Sequence, residues 1–382
     1  MIRVGFIGAV SKEWMGGLNY FKNLLYAIST LENKEIEPIV FVGKKTDEDI
    51  KAMFRKHVQV IEHSMFDRKS LSWFCWKIPQ RLFKTHYAFD QLLKQYHIDV
   101  FSHTDIINIK SCKTVNWIPD FQHLHLPHMF SSAEIKHRNS HFLKLAQYSD
   151  AIVLSSFDAL KDFNSFAPQY VQKAKVLQFV SQPDKKYFEL THQDEELLRK
   201  KYNIFKPFFY LPNQFWKHKN HMVVFEAVNI LKEKKVNITV VCTGHLHDYR
   251  NSEHIDTLTR FVAMHHLEDQ IKLLGLVDYA DVFALIKYSE AVINPSLFEG
   301  WSSTVEECKS VGKNMILSDL EVHKEQYLQA TFFERNNPQS LANILEQYEQ
   351  ISQLEDKVFD IQIQTKLFAK QYQNIIGNII HE

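Results

Sequence analysis

Short apolar, β-branched runs alternate with helical stretches along the whole chain, and this alternation limits the fold more than any other feature. The runs in the first half are IRVGFIGAV, EIEPIVFVG, IDVFSH, TVNWIP, AIVLSS and KVLQFV. Those in the second half are PFFYLPN, ITVVCTG, IKLLGLV, AVINPS and KNMILSD. Helical patterns such as LNYFKNLLYAIST and HMVVFEAVNILKEKK lie between them. The alternation predicts an α/β fold in which both halves are Rossmann-like, doubly wound parallel sheets.

The length of the chain favours two domains over one. A chain of 382 residues is long for a single hydrophobic core. The polar segment 181–207 is the best linker candidate, and we expect domains over 1–185 and 186–362. Ligands of doubly wound sheets bind at the carboxyl ends of the strands, so we expect the functional residues there.

The composition excludes several classes of protein. Lys and Arg together number 45, as do Asp and Glu, and this balance argues against a nucleic-acid binder. The four cysteines are scattered, which indicates reduced thiols in a cytoplasmic protein. The opening MIRVGFIGAV reads as a first strand rather than a signal peptide, and no apolar run is long enough to span a bilayer.

The stretch NPSLFEGWSSTVEECKSVGKNMILSD, residues 294–319, carries the strongest chemical signal. A strand ends before a turn at Gly300, and a helix follows that Gly312 ends as its C′ residue. The free amides of Ser302, Ser303 and Thr304 at the helix start suit a diphosphate. The carboxylates of Glu299 and Glu307 then suit hydroxyl groups on either side of it, which together describe a nucleotide sugar.

Glu307 also has a purely structural interpretation. Thr304 and Glu307, like Ser303 and Glu306, have the spacing of a capping box, in which the acid would bond the helix start. The residues alone leave both interpretations of Glu307 open: a cap, or a ligand of the ribose diol as in dinucleotide-binding folds. Glu299 lies in the loop, where a carboxylate caps nothing obvious.

The same stretch resembles the Glu-x7-Glu signature of retaining glycosyltransferases of family four, which have the GT-B fold. The chain keeps Pro295, Ser296, Glu299, Gly300 and Glu307 of the usual pattern Pro-Ser-x-x-Glu-Gly-Phe-Gly-Leu-Pro-x-x-Glu-Ala. It departs from that pattern at Trp301, Ser302, Ser303, Thr304 and Cys308. The resemblance implies two domains facing across a cleft, and a C-terminal helix, 363–382, that packs back on the N-terminal domain. It further implies that 1–185 binds the acceptor and 186–362 the nucleotide sugar.

Further motifs extend this resemblance over nearly the whole chain. WMGGLNYFKNLLYAI is similar to the glycine-rich first loop of the family, and FFYLPNQFWKHKNHMVVFEAV to the segment that holds its phosphate-binding lysine, here Lys219. Asn213 and Gln214 stand where the family has glycine and arginine, and Lys217 is a substitute cation or a solvated lysine. The implied donor-binding residues are Gly16, Gly17, Asn213, Gln214, Lys217, Lys219, Gly244, Leu276, Val277, Glu299, Gly300, Trp301, Ser302, Ser303, Thr304 and Glu307.

The loop WIPDFQHLHLPHMFS, residues 117–131, resembles a loop at the cleft face of family members that act on surface polysaccharides. Many relatives have a histidine directly before the aspartate, where this chain has Pro119. The resemblance assigns catalytic roles to Asp120 and His123 beside Glu299 and Lys219. The structural alternative is a polar surface loop with packed histidines.

The activity that the resemblance implies is retaining transfer of a hexosyl group from a nucleoside diphosphate sugar to a hydroxyl of a glycan or lipid-linked acceptor in cell-surface polysaccharide synthesis. We expect no metal and no cofactor, because the acidic triplet 47–49 reads as the first turn of a helix. Two alternatives stay open: a nucleotide-sugar epimerase of the same fold, and a non-catalytic subunit that binds nucleotide sugar. A dehydrogenase is disfavoured, since no Gly-x-Gly-x-x-Gly follows the first strand.

Residues 69–84 mix aromatic and basic side chains. This mixture suits peripheral contact with the anionic inner face of a membrane, or with a lipid-linked acceptor. A buried helix with a solvated rim is the alternative.

Overall fold

The computed structural model describes residues 1–8, 15–83, 85–183, 185–248, 250–348 and 360–381. The chain divides into two compact units. The first unit comprises Met1–Leu124, Ser131–Ser181 and Gln362–Glu382, and the second comprises His125–Phe130 and Gln182–Ile361.

The described part of the first unit contains a seven-stranded sheet in the order β3-β2-β1-β4-β5-β6-β7, with every neighbouring pair parallel. This order, which reverses direction between β1 and β4, is that of a doubly wound fold. The predicted α/β class is confirmed for this half. The strands are β1 Ile2–Ile7, β2 Ile36–Val42, β3 Gln59–Glu62, β4 Val100–Thr104, β5 Lys113–Ile118, β6 Ala151–Leu154 and β7 Ala174–Val176.

Helices connect these strands and cover the sheet. Asp47 caps the second helix by accepting a hydrogen bond from the Asp49 amide, which confirms that the acidic triplet opens a helix. Ser131 and Glu134 form a capping box at the sixth. The helices are α1 Met15–Ser29, α2 Glu48–Arg55, α3 Leu71–Phe83, α4 Tyr87–Gln95, α5 Gln122–His125, α6 Ser132–Tyr148 and α7 Phe157–Phe166, and short 3-10 turns cover Ser64–Phe66, Pro127–Met129 and Pro168–Lys173.

The C-terminal helix, Ile361–His381, groups with the first unit, which confirms the helix predicted there. The Tyr372 hydroxyl donates to Ser102 Oγ at 2.7 Å, across 270 residues of sequence. Ser102 Oγ in turn lies 2.8 Å from His103 Nδ1, and His103 Nε2 lies 2.6 Å from the Tyr20 hydroxyl. This buried chain of hydrogen bonds joins the first and last helices of the unit to β4.

The second unit repeats the same architecture. Its described residues form a six-stranded parallel sheet in the order β10-β9-β8-β11-β12-β13, which reverses between β8 and β11. The strands are β8 Phe209–Leu211, β9 Val240–Thr243, β10 Ile271–Gly275, β11 Val292–Asn294, β12 Met315–Ser318 and β13 Thr331–Phe333.

Apolar cores cover both faces of this second sheet. The helices are α8 Lys185–Glu189, α9 His192–Tyr202, α10 His221–Glu233, α11 His254–Met264, α12 Tyr279–Tyr288, α13 Ser303–Ser310, α14 Glu321–Gln326 and α15 Pro338–Glu346, with a 3-10 turn at Lys217–Lys219. The C-terminal helix Ile361–His381 is α16.

The segment 181–207, which we predicted as the linker, contains the boundary between the two units at Ser181 and Gln182 and is largely helical after it. It contains α8 and α9, and Leu198 of α9 is buried in the second core. Thr191 and Asp194 form a capping box at the start of α9, and Asn203 ends it in the left-handed conformation. The segment is polar because the outer face of the three-turn amphipathic helix α9 is solvated.

Across the described ranges, no helix has both the length and the mean hydropathy that crossing a membrane requires.

Candidate functional site

Polar side chains converge where the second sheet reverses direction, at the carboxyl ends of β8 and β11. Asn213 Nδ2 donates to Asn294 Oδ1 at 3.0 Å, and Asn294 Nδ2 donates to Ser302 Oγ at 2.9 Å. The Thr304 hydroxyl donates to Asn213 Oδ1 at 3.4 Å. All four side chains are buried. They tie both strand ends to the start of α13, so the Asn213 amide that we predicted to bind donor is used within the protein.

Ser302 is the N-cap of α13. Its side chain accepts a hydrogen bond from the Val305 amide, so the N-cap lies two residues before Thr304, the cap that the Thr304-x-x-Glu307 spacing assumes. Glu307 is thus the fifth residue of the helix, too far along to reach back to the cap. The capping interpretation of Glu307 is wrong. Gly312, with φ +67°, lies in the predicted left-handed position after the helix.

The Ser302 amide is not available to a ligand, contrary to our prediction. It donates to Gln326 Oε1 at 3.1 Å, and Gln326 Nε2 donates back to the Ser302 carbonyl at 2.7 Å. Ser303 and Thr304 occupy the first two positions of α13, where amides have no partner within the helix. The anion-binding capacity of this turn therefore rests on two amides and the helix dipole.

Lys219 and Glu299 form a partly buried ion pair, with Lys219 Nζ 2.5 Å from Glu299 Oε1. Ser296 Oγ donates to the same oxygen at 2.6 Å, and the Leu297 amide donates to the His218 carbonyl at 2.8 Å. Burial alone would raise the pKa of Glu299, but the charges of Lys219 and His323 lower that pKa to about 2. Glu299 is therefore a permanent anion, and Lys219 is fixed at its side.

His323 lies beside this pair and was not predicted. It is fully buried, and its Nδ1 lies 3.0 Å from the Ser318 carbonyl at the end of β12. Burial lowers the pKa of His323, while the charge of Glu299 raises it. Ser296, Asn294 and His323 all follow or end strands, and that position is the sequence signal that could have identified them.

Glu307 is buried one turn into α13, and Tyr279 donates to its Oε1 at 3.4 Å. Its neighbour Glu306 is also buried, with Lys309 Nζ and Gln326 Nε2 at 2.7 and 2.9 Å from its Oε1. Burial raises the pKa of Glu306 despite these partners. A polar cluster thus lies behind the turn that carries Gly300 and the partly buried Trp301, whose ring centroid is 5.8 Å from Lys309 Nζ.

Gly244 marks a close approach of backbone segments at the end of β9. It has φ +142°, and a Cβ there would lie 2.4 Å from the Asn213 carbonyl oxygen. Gln214 Oε1 accepts a hydrogen bond from the His245 amide at 2.7 Å. The side chain at the position of the family's arginine therefore already has a partner within the protein.

Three further predicted residues lie at the rim of this region. Lys217 is exposed, in agreement with the solvated interpretation. Leu276 is exposed directly after β10, whereas Val277 packs against the core.

The glycine-rich motif of the first unit is helical where the structure describes it. Gly16 and Gly17 belong to the first turn of α1, not to a loop as predicted, and Trp14, the first residue of the motif, lies outside the described residues.

Asp120 and His123 do not converge in the way the donor residues do. Asp120 Oδ1 accepts from the Gln122 amide at 2.9 Å and lies 3.6 Å from Arg138. His123 is buried, with Nε2 2.9 Å from Asn139 Oδ1, and its ring packs edge-on against Phe142. Burial lowers the pKa of His123. These contacts are those of a packed histidine, and the catalytic roles of both residues stay predictions.

Within the described ranges, no cluster of three or more His, Cys, Asp or Glu side chains has the arrangement of a metal site.

Comparison with known proteins gives this geometry a context. Residues 194–359 match the family model of glycosyl transferases group 1. No curated protein matches the sequence. The chain resembles the Anabaena protein HepE in complex with UDP and glucose, with a TM-score of 0.69, 14% identity, and coverage of 99% of this chain and 100% of that one.

Two other solved structures have the same architecture. The catalytic domain of starch synthase IV from Arabidopsis thaliana, bound to ADP and acarbose, has a TM-score of 0.68 at 13% identity, with 100% of both chains covered. The apo form of the lipopolysaccharide outer core galactosyltransferase WaaB has a TM-score of 0.60 at 16% identity, with 99% of both chains covered. These likenesses show the GT-B fold, and the family match places a glycosyl transferase domain in the second unit. The chain is a glycosyltransferase.

Proposed function

We propose that this glycosyltransferase moves a hexosyl group from a nucleoside diphosphate sugar to a hydroxyl of a glycan or lipid-linked acceptor, with retention of configuration. The observation that carries the proposal is the position of the Lys219–Glu299 pair. Hydrogen bonds connect this pair to the ends of the same strands that hold the start of α13. This places a cation, two unpaired amides and two carboxylates at the switch point of the second sheet. A nucleotide sugar presents complementary groups, namely a diphosphate flanked by hydroxyls.

Lys219 and the amides of Ser303 and Thr304 would stabilise the leaving diphosphate. In the reaction, the bond between the anomeric carbon and the β-phosphate oxygen breaks with its electron pair left on that oxygen, a bond to the acceptor oxygen forms, and the acceptor hydroxyl passes its proton to the departing phosphate. Negative charge grows on the departing phosphate, so fixed donors aimed at it lower the barrier. Lys219 is held in place before donor arrives, which spares the cost of ordering it during the reaction.

The two carboxylates would divide the hydroxyls of the donor between them. Glu307, one turn into α13, would hold the ribose diol, and Glu299 the transferred sugar. Support for a nucleotide-sugar donor comes from the Anabaena neighbour, solved with UDP-glucose. Support for an acceptor in cell-surface polysaccharide comes from the galactosyltransferase that acts on the lipopolysaccharide outer core.

The remaining parts of the proposal are that transfer needs no metal, that 1–185 binds the acceptor, and that segment 69–84 touches the inner face of the membrane. Donor turnover should survive EDTA. Complete loss of turnover, restored by Mn²⁺, would refute metal independence.

The first experiment identifies the donor by thermal shift against UDP, GDP, TDP and their sugars. A ligand at a hundred times its dissociation constant adds about 2.7 kcal/mol to the free energy of unfolding. The preferred sugar nucleotide is then incubated with and without candidate acceptors. Transfer to acceptor, with the donor's anomeric configuration read by NMR, supports the proposal. A changed sugar without acceptor would indicate an epimerase, and binding without turnover a non-catalytic subunit.

The second experiment tests the division of the carboxylates through Glu299→Gln. Calorimetric titration with the bare nucleoside diphosphate should give nearly wild-type affinity, while sugar transfer should be strongly reduced. Equal losses of both would place Glu299 against the nucleotide and not the sugar.

A further inference from the structure

Helix α3, Leu71–Phe83, is attached to the first unit by one side only. Trp76 is buried there and stacks on Phe89 with ring centroids 5.0 Å apart. Its indole Nε1 donates to His86 Nδ1 at 3.2 Å. These contacts fix which face of α3 is turned inward, and therefore which face is turned to solvent.

The outward face carries an apolar stripe. Leu71, Phe74, Ile78 and Leu82 are 86%, 41%, 51% and 67% exposed. Their spacing of three, four and four residues places them in one row along the helix. Large apolar side chains scattered singly are normal on a protein surface, but a row of four on one helix face marks an interaction surface. The alternative interpretation of residues 69–84, a buried helix with a solvated rim, therefore does not apply to α3.

The sequence around the stripe is basic without exception. Residues 68–89 contain five Lys and Arg and no Asp or Glu, although the two classes balance over the whole chain. Arg68 and Lys69 are exposed and precede α3, whereas Lys77 lies on its inward side, with its Nζ 4.0 Å from the ring centroid of the buried Trp76. A surface that is apolar along one line and cationic at its start complements a negatively charged apolar partner.

We propose that α3 is a membrane-docking face that lies flat in the interface of a bilayer with anionic headgroups. From Leu71 to Leu82 the stripe runs about 16 Å along the helix, at 1.5 Å per residue. A helix of this kind inserts its apolar side chains about 5–10 Å into the boundary between headgroups and acyl chains. The flanking cations then meet anionic lipid, and each adds attraction that salt weakens. The helix is too short to span a bilayer, so the contact is reversible.

This inference deepens the proposed function by naming the surface on which a lipid-linked acceptor would lie. It can be tested apart from that function, because vesicle binding needs neither donor nor acceptor. A failure of transfer would leave the docking face standing, and the converse also holds.

Cys75 provides a probe within the face itself. It is exposed next to Phe74, whereas Cys242 and Cys308 are buried and burial raises their pKa values. Cys112 is partly buried, and burial raises its pKa to about 12. A polarity-sensitive fluorophore coupled through a thiol reagent at neutral pH therefore labels Cys75 selectively.

The labelled protein is titrated with vesicles of phosphatidylcholine alone and with vesicles that also contain phosphatidylglycerol. We expect the emission to rise and shift to the blue with the anionic vesicles, and to fall back as salt is added. In Leu71→Glu/Leu82→Glu the vesicle concentration at half-response should increase at least tenfold.

The matched control is Met264→Glu/Leu328→Glu in the second unit. Met264 and Leu328 are exposed to a similar degree, 70% and 73%, so the control adds the same charge at equally solvated sites. It should bind anionic vesicles with no more than the small loss that two added charges cause. Absence of a wild-type response, an equal response in Leu71→Glu/Leu82→Glu, or equal losses in both double variants would overturn the proposal. A concentration-dependent response without vesicles would assign the face to a second copy of the chain instead.

Discussion

The two sheets reverse direction at equivalent places, yet they present opposite chemistry there. In the first unit the region near the ends of β1 and β4 is filled by aromatic rings: Tyr20 stacks on Trp117 with centroids 4.4 Å apart, and His103 packs between Phe6 and Tyr372. In the second unit the same place holds Asn213, Asn294 and Ser302, joined by hydrogen bonds.

The comparison shows that a shared topology fixes where a ligand could bind but not whether it binds. A doubly wound sheet opens a crevice at its switch point in either unit. In the described part of the first unit aromatic rings pack at the strand ends, and burial lowers the pKa of His103 to about 3, so the histidine stays neutral. Amide and hydroxyl side chains in the second unit instead hold a charged pair and a helix start in position. The variants below test how far that contrast extends.

The largest effect is expected from Lys219→Ala. Turnover should fall about 10²-fold or more, because one contact to the developing phosphate charge is lost. Only 15% and 9% of the two paired side chains are exposed, so the variant should also be less stable, by up to about 3–5 kcal/mol, because an unpaired carboxylate remains. Steady-state kinetics and chemical denaturation measure the two effects.

Lys219→Met/Glu299→Gln separates stability from catalysis. With both charges removed, the free energy of unfolding should return toward the wild-type value while turnover stays low. Recovery of turnover together with stability would mean that Lys219 serves the fold and not the donor.

Glu307→Gln should lower affinity for the bare nucleoside diphosphate about tenfold. Charged hydrogen bonds contribute about 1.5–3 kcal/mol, and the amide offers one acceptor oxygen in place of two charged ones. Because Ser302 is the N-cap of α13, a loss of affinity in Glu307→Gln could not be attributed to loss of a helix cap. Tyr279→Phe, which removes the hydroxyl 3.4 Å from Glu307 Oε1, is the control and should change the affinity less. Calorimetric titration decides, and wild-type affinity in Glu307→Gln would remove the ribose role.

Gln326→Met tests whether the turn before α13 must be held for nucleotide to bind. Gln326 accepts a hydrogen bond from the Ser302 amide and donates one to the Ser302 carbonyl. Gln373 of α16 makes the same kind of paired contact, accepting from the Glu35 amide and donating to the Asn33 carbonyl. Gln326→Met and the control Gln373→Met should each lower the free energy of unfolding by about 1–3 kcal/mol, because buried backbone groups lose their partners. Gln326→Met alone should weaken nucleotide binding, by a few-fold. Equal nucleotide affinities in the two variants would show that nucleotide binding does not depend on the hydrogen bonds between Gln326 and Ser302.

The smallest effect on nucleotide binding is expected from His123→Ala. Its Nε2 bonds Asn139 and its ring packs against Phe142, so the loss should appear as a lower melting temperature at unchanged nucleotide affinity. Asp120→Asn should leave both nearly unchanged. If turnover per folded molecule drops more than tenfold in either variant, the first unit contributes catalytic residues after all.

Much of the fold could be predicted from the sequence because buried parallel strands are continuous apolar runs. AVINPS and KNMILSD are read correctly as strands for that reason. The edge strands β3 and β13 were missed: QVIE and TFF are short and only partly buried, so neither pattern nor length distinguishes them. The segment 181–207 contains the boundary between the units, as predicted, but its helix α9 was not foreseen, although the capping box at Thr191 was a helix signal.

The site was predictable where chemistry follows a motif, and not where it depends on distant contacts. Glu299 and Lys219 were identified by their motifs, but nothing local reveals that they bond each other across 80 residues. The Ser302 amide seemed free because the sequence does not show that Gln326, 24 residues later, occupies it. The capping-box interpretation assigned the cap to Ser303 or Thr304, whereas the N-cap is Ser302; all three residues are good N-caps, so the sequence does not distinguish them.

The attachment of α16 to the first unit has a consequence for biosynthesis. The ribosome releases β1 through β7 early, but the helix that carries Tyr372 to Ser102 is made after the whole second unit. Until then Ser102 in the first sheet lacks its hydrogen bond from Tyr372, which lies 270 residues later in the chain. The second unit is continuous apart from a six-residue segment and can fold as soon as it emerges. The nascent chain would thus complete its later half first, and its earlier half would be the one that depends on chaperones.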